Sequence, residues 1–118
     1  MTTREARGER GRRRAGLGLV GLLALALPAV AGAEPGAARQ AELRELLAQD
    51  CGSCHGLTRK GGLGAPLTPE ALAGKPDAYL VSVTLDGIPG TAMPPWRPML
   101  TEDDAALIVR WLREGVGR

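Results

Sequence analysis

The sequence has no phenylalanine, a single tyrosine (Tyr79) and two tryptophans (Trp96 and Trp111), so aromatic residues make up 3% of its 118 positions. A chain this short and this poor in large side chains has little apolar volume from which to build a core. Cysteine is scarce too. The only two, Cys51 and Cys54, stand too close together to tie distant parts of the chain as a disulfide. A single histidine, His55, rules out coordination of a metal by two imidazoles, and two cysteines plus one histidine give too few good ligands for structural zinc. There is no strong excess of either charge, since 15 Lys and Arg against 13 Asp and Glu leave a formal +2. Strands, internal repeats and low-complexity tracts are not evident either. Something other than aromatic side chains must fill the middle of the fold.

The apolar run that is present lies at the N-terminus. Arg12-Arg13-Arg14 precedes an uncharged stretch from Ala15 to Val30, and Ala31-Gly32-Ala33 has the small-x-small form of a cleavage site. This predicts a signal peptide over residues 1–33, cut after Ala33, with export to the periplasm and one domain over 34–118. The competing reading is an uncleaved anchor, because Ala15 to Ala33 reaches the length of a short membrane-spanning helix. Pro28, the short leucine-rich core and the polar, proline-containing segment that follows favour cleavage, and with it no stable membrane insertion. The flanks of the arginine triplet lack a twin-arginine pattern, so the general secretory route is expected. Cleavage would remove six basic and two acidic residues and leave nine against eleven, a net charge of −2. No nucleic-acid role is expected of such a domain.

In the remaining chain, Leu43, Leu46 and Leu47 have the spacing of a one-sided helix over Ala38 to Asp50, which delivers Cys51. Gly56 to Leu67, rich in glycine, reads as a loop. Thr68-Pro69-Glu70 marks a short helical turn with a threonine cap and proline in its first turn. Pro76 opens a middle helix in which Tyr79, Leu80 and Val83 share a face, and Gly87 closes it. Five of the thirteen residues from Ile88 to Leu100 are Gly or Pro, so this segment is stiff without being regular. Thr101-Glu102-Asp103-Asp104 resembles a capping box with Asp in place of Glu. Ala105, Ile108, Trp111 and Leu112 then form the buried stripe of a last helix that ends at Gly115. The fold class is all-α, with three main helices and one short helical turn.

Chemistry concentrates in Cys51-Gly52-Ser53-Cys54-His55. Two thiols one helical turn apart reach two neighbouring vinyl groups of one porphyrin, and the next residue carries its imidazole beneath the iron. One covalent haem c, held by Cys51 and Cys54 and ligated by His55, would supply both the missing apolar mass and a cross-link. A thiol-disulfide oxidoreductase is the competitor, but it needs an alternation of strands and helices that is not found here. With no second histidine, the sixth iron ligand is methionine, lysine or water. Met93 is favoured because Pro89, Pro94 and Pro95 stiffen its loop, whereas Met99 is read as packing beneath the last helix. His/Met ligation closes both iron positions, which suits an electron carrier and not an enzyme.

Several other residues are read less sharply. Pro66 would offer its carbonyl to the second nitrogen of His55, or serve as an ordinary turn proline. Trp96 and Arg97 either meet the haem edge and a propionate or face solvent. Arg59, Lys60 and Lys75 would form a positive rim that steers an acidic partner.

Cys51-Gly52-Ser53-Cys54-His55-Gly56, Lys60-Gly61-Gly62-Leu63-Gly64, Leu67-Thr68-Pro69-Glu70-Ala71-Leu72 and Pro89-Gly90-Thr91-Ala92-Met93-Pro94-Pro95-Trp96-Arg97-Pro98 together resemble class I cytochromes c. More narrowly, they resemble the NirC-type cytochrome c encoded with cytochrome cd nitrite reductase in denitrifying bacteria. One departure is Gly64-Ala65-Pro66, where class I chains often have Gly-Pro directly. The resemblance implies a three-helix haem fold in the periplasm and electron delivery to cytochrome cd nitrite reductase or to maturation of its haem. It assigns thioether attachment to Cys51 and Cys54 and axial ligation to His55 and Met93. The alternative function is a haem protein with a labile sixth ligand, acting in ligand binding or cofactor maturation.

Overall fold

Leu43, Leu46 and Leu47 do define a one-sided helix, and in the computed structural model, which describes residues 32–116, it runs further than the leucine spacing predicts. Helix α1 covers Ala37–Leu46, passes through a π-helical turn at Leu47–Cys51, and continues as α2 at Gly52–His55. The π turn takes one extra residue per turn, and the Gly52 N–H reaches back five residues to the Leu47 carbonyl. Ser53 Oγ donates to the Asp50 carbonyl at 2.7 Å, which helps carry the helix past the end expected at Asp50. The predicted signal peptide lies outside the described residues apart from Gly32 and Ala33.

Helix α3 is the single turn Pro69–Leu72, capped as expected by Thr68 Oγ1, which accepts the Ala71 N–H at 3.3 Å. Helix α4 (Asp77–Asp86) starts after Pro76 and ends at Gly87. Of the face expected from Tyr79, Leu80 and Val83, Leu80 is buried but Tyr79 is half exposed, while Leu85 is buried and Val81 packs against the core. Val81, Val83 and Leu85 make the helix apolar on more than one side, so its sequence does not define a single stripe. Packing on α5 selects the side carrying Leu80 and Leu85.

Helix α5 (Glu102–Glu114) organises the rest. Both halves of its capping box form, with Thr101 Oγ1 accepting the Asp104 N–H at 3.1 Å and Asp104 Oδ2 accepting the Thr101 N–H at 3.0 Å. All four stripe residues are buried, joined by Leu107 and Val109, so α5 supplies half of the twelve apolar core residues. Leu43 and Leu47 come from the first helix, Leu72 from α3, Leu80 and Leu85 from α4, and Leu100 from the segment before α5. Arg39 on α1 reaches across to Asp104 at 2.9 Å and to the Met99 carbonyl at 2.7 Å, tying the start of the first helix to the start of the last. Farther along, the Arg44 guanidinium lies 4.2 Å from the centre of the Trp111 ring. No strand occurs among the described residues, and none of their helices is long and apolar enough to cross a membrane.

Candidate haem site

The π turn and α2 set Cys51, Cys54 and His55 on one continuous helical path, with both thiols free and partly accessible. Burial pushes the Cys51 thiol up to about 11, and the neighbouring Asp50 charge adds to the rise. A redox-active thiol needs the opposite, a lowered value that supplies thiolate at neutral pH. This environment therefore counts against a thiol oxidoreductase.

His55 is held firmly. Its Nδ1 lies 2.7 Å from the Ala65 carbonyl oxygen. A carbonyl can only accept, so Nδ1 carries the proton and Nε2 keeps the lone pair that a metal requires. The partner is Ala65, not Pro66 as expected, because the glycine-rich loop folds back on α2 in a register that brings the Ala65 carbonyl to Nδ1. The Gly61 N–H donates to the His55 carbonyl at 2.9 Å and the Gly64 N–H to the Cys54 carbonyl at 2.8 Å. This close return is possible because Gly64 has no side chain: a Cβ there would stand 2.7 Å from His55 Cε1.

Met93 comes from a separate segment, anchored on the end of α4. It is half-buried, its carbonyl accepts the Ile88 N–H at 3.2 Å, and its own N–H donates to Thr91 Oγ1 at 3.3 Å. The Trp96 and Arg97 N–H groups satisfy the Thr84 and Leu85 carbonyls at 3.3 and 3.0 Å. Gly87, with φ of 68°, lets this loop lie directly against the helix end, since a Cβ there would meet the Met93 oxygen at 2.8 Å. Backbone hydrogen bonds thus fix the Met93 loop in addition to its prolines. Met99 does not pack beneath the last helix as predicted. It is exposed, and Leu100 fills that place.

The donor chemistry fits a covalently held haem. Two thiols would suit thioether bonds, the free Nε2 of His55 would suit iron, and the Met93 thioether is a further donor of the kind iron accepts. Among the described residues no group of three His, Cys, Asp or Glu could hold a metal ion. Leu57, Leu63 and Ile88, on the loops that follow His55 and lead to Met93, are exposed, Leu63 to 83%, and offer apolar surface to a macrocycle.

The surrounding charges sit differently from the expected rim. Arg59 is 6% exposed and cannot serve as a surface charge. Lys75 Nζ donates to the Ala71 carbonyl at 2.8 Å. Arg97 is engaged with Asp86 in a two-bond pair at 2.8 and 3.0 Å, and holds that carboxyl below its usual range. Trp96 packs partly against the core. From sequence Gly87 reads only as the end of the middle helix, and Gly64-Ala65 only as a departure from Gly-Pro; their places against the Met93 loop and His55 come from the structure.

Residues 38–112 match the family of cytochrome c oxidase, cbb3-type, subunit III. Cytochrome c55X of Paracoccus denitrificans is 63% identical over 91 residues, spanning 77% of this chain and 87% of that protein. A solved structure of c-type cytochrome NirC superposes with a TM-score of 0.68 at 60% identity, covering 69% of this chain and 95% of that one. Dihydro-heme d1 dehydrogenase of Pseudomonas aeruginosa is 39% identical over 99 residues, which are 84% of this chain but 18% of that protein.

Proposed function

The chain belongs to the c-type cytochromes, within the group that includes cytochrome c55X and NirC, and from that premise we propose that it is a mono-haem electron carrier serving a nitrite reductase system. Cys51 and Cys54 would hold the haem through thioether bonds, His55 Nε2 and the Met93 sulfur would bind its iron, and the haem would supply a one-electron couple. The observation that carries this reading is the His55 Nδ1 contact to Ala65, which leaves the Nε2 lone pair for a metal. The Gly87 contact and the backbone bonds of the Met93 loop hold the second ligand in place without relying on the porphyrin.

The partner is cytochrome cd nitrite reductase or the maturation of its specialised haem. The match to part of a dihydro-heme d1 dehydrogenase favours the maturation branch, because that protein carries a segment of the same kind. It also supports a second reading, in which Met93 is displaced during cofactor maturation and the iron binds an added ligand. Export to the periplasm, cleavage after Ala33 and a mature domain of 34–118 complete the proposal.

The test is the visible spectrum and intact mass of protein matured with c-type haem machinery. A mass of residues 34–118 plus one haem, with low-spin haem that does not bind carbon monoxide, is expected. A high-spin or readily carbon-monoxide-binding haem would overturn the closed carrier in favour of the second reading. Haem-free protein with a reducible disulfide would overturn both.

A further inference from the structure

Among the described residues Arg59 is the one residue other than glycine with a positive φ, at 56°. Such backbone is costly for an ordinary side chain and persists only where its surroundings enforce it. Here they do: the Arg59 N–H donates to the Gly56 carbonyl and the Arg59 carbonyl accepts the Leu67 N–H, both at 2.8 Å. The effect is to turn the side chain inward, where the residue is 6% exposed. Nη1 makes a long 3.4 Å bond to the Leu47 carbonyl, in the π turn that carries Cys51. Nε has no partner and is the one buried side-chain nitrogen or oxygen in that condition among the described residues.

The other described arginines are matched differently. Arg39, Arg97, Arg110 and Arg113 pair with Asp104, Asp86, Glu34 and Asp77, and Arg44 lies over Trp111. No carboxylate of the described residues is in salt-bridge reach of Arg59. A buried cation without a counter-ion is expensive, and a leucine or methionine would fill the same space at less cost. Its location gives it a use, because its Nη1 reaches the carbonyl of Leu47 in the same π turn that ends at Cys51.

We propose that Arg59 tunes the electron affinity of this site, its buried guanidinium favouring the reduced form of the haem attached at Cys51. The proposal rests on the haem reading above. Taking one electron from a redox partner lowers the charge of the centre by one, and a fixed nearby cation stabilises that change. Burial weakens screening by solvent and salt, so the effect acts at longer range than that of a surface lysine.

The experiment measures the midpoint potential of holoprotein carrying Arg59→Met, Arg59→Gln or Arg59→Lys, with the sulfur-to-iron charge-transfer band recorded for each. Loss of charge in the Met and Gln variants is expected to lower the potential by up to a tenfold shift in the one-electron equilibrium, about 59 mV. The Lys variant should keep most of the parent value, and the difference should survive high salt. Lys60→Gln and Lys75→Gln serve as surface controls whose smaller shifts salt should abolish. If Arg59→Met does not mature, the Gln and Lys pair supplies the same contrast. Parent potential in the neutral variants, or an equal fall in Arg59→Lys, overturns the proposal. So does loss of the charge-transfer band in every neutral variant, which would make Arg59 structural. Absence of haem in the parent would instead overturn the reading on which this rests.

Discussion

At the scale of single residues, the proposed site depends on what stands behind each ligand. Gly64 is the sharpest case, because an added methyl would stand 2.7 Å from a ring that the Ala65 carbonyl already holds at 2.7 Å. Gly64→Ala must therefore rotate His55 or push the loop away, at a cost of roughly 1–3 kcal/mol. Lower haem occupancy or a fraction of high-spin iron is expected in its spectrum, and a parent-like spectrum and stability would show that the loop gives way freely. Met93→Ala should lose the sulfur-to-iron charge-transfer band and have a lower potential, while Met99→Ala, altering an exposed side chain, should keep both. If the effects are reversed, Met99 is the ligand. The motif Cys51 to His55 was legible because its chemistry is local. The Ala65 carbonyl was not, since its place at His55 Nδ1 depends on hydrogen bonds between the loop and α2.

At the scale of elements, the first and last helices are joined through one carboxylate. Asp104 completes its own capping box and also accepts from Arg39, 65 positions earlier in the chain. The Arg39 guanidinium holds this carboxyl below its ordinary range, against the opposing effect of burial. The unfolded chain, with an Asp near 3.9, therefore takes up the proton first as pH falls. The stabilisation is complete above about pH 5 and is lost as pH drops through the lowered folded value. Asp104→Asn should lower stability at pH 7 by roughly 1–2 kcal/mol, discounted because Arg39 is partly exposed. Denaturant titrations between pH 2 and 7 should also show a shallower acid loss in the variant, and an unchanged acid limb would remove Asp104 from the account. The capping box was readable from four consecutive residues, as was the α5 stripe from its period. The Arg39 link was not, because nothing local in either segment points to the other. The α4 face was misread for a related reason: the helix is apolar on several sides, and its partner helix decides which side is buried.

At the scale of the molecule, the scarcity of aromatic residues has a structural counterpart. Among the described residues the apolar core consists of twelve side chains, eight of them leucine, and only Trp111 is aromatic. Apolar side chains that would enlarge it lie outside: Leu57, Leu63, Tyr79 and Ile88 are all exposed. At about 25 cal/mol per Å² of apolar surface, covering them with a porphyrin would add several kcal/mol, comparable to the whole stability of a domain this small. The thioether bonds would further tie the cofactor to the chain. Replacing both Cys51 and Cys54 by Ser removes the covalent attachment but leaves the polypeptide core intact. This variant is expected to keep part of its helical circular dichroism while losing a sharp thermal transition, as a chain with so small a core should. The holoprotein should unfold in one cooperative step. A sharp, near-parent transition in the haem-free variant would mean that the twelve-residue core suffices, and that the four exposed side chains serve a surface outside the cofactor.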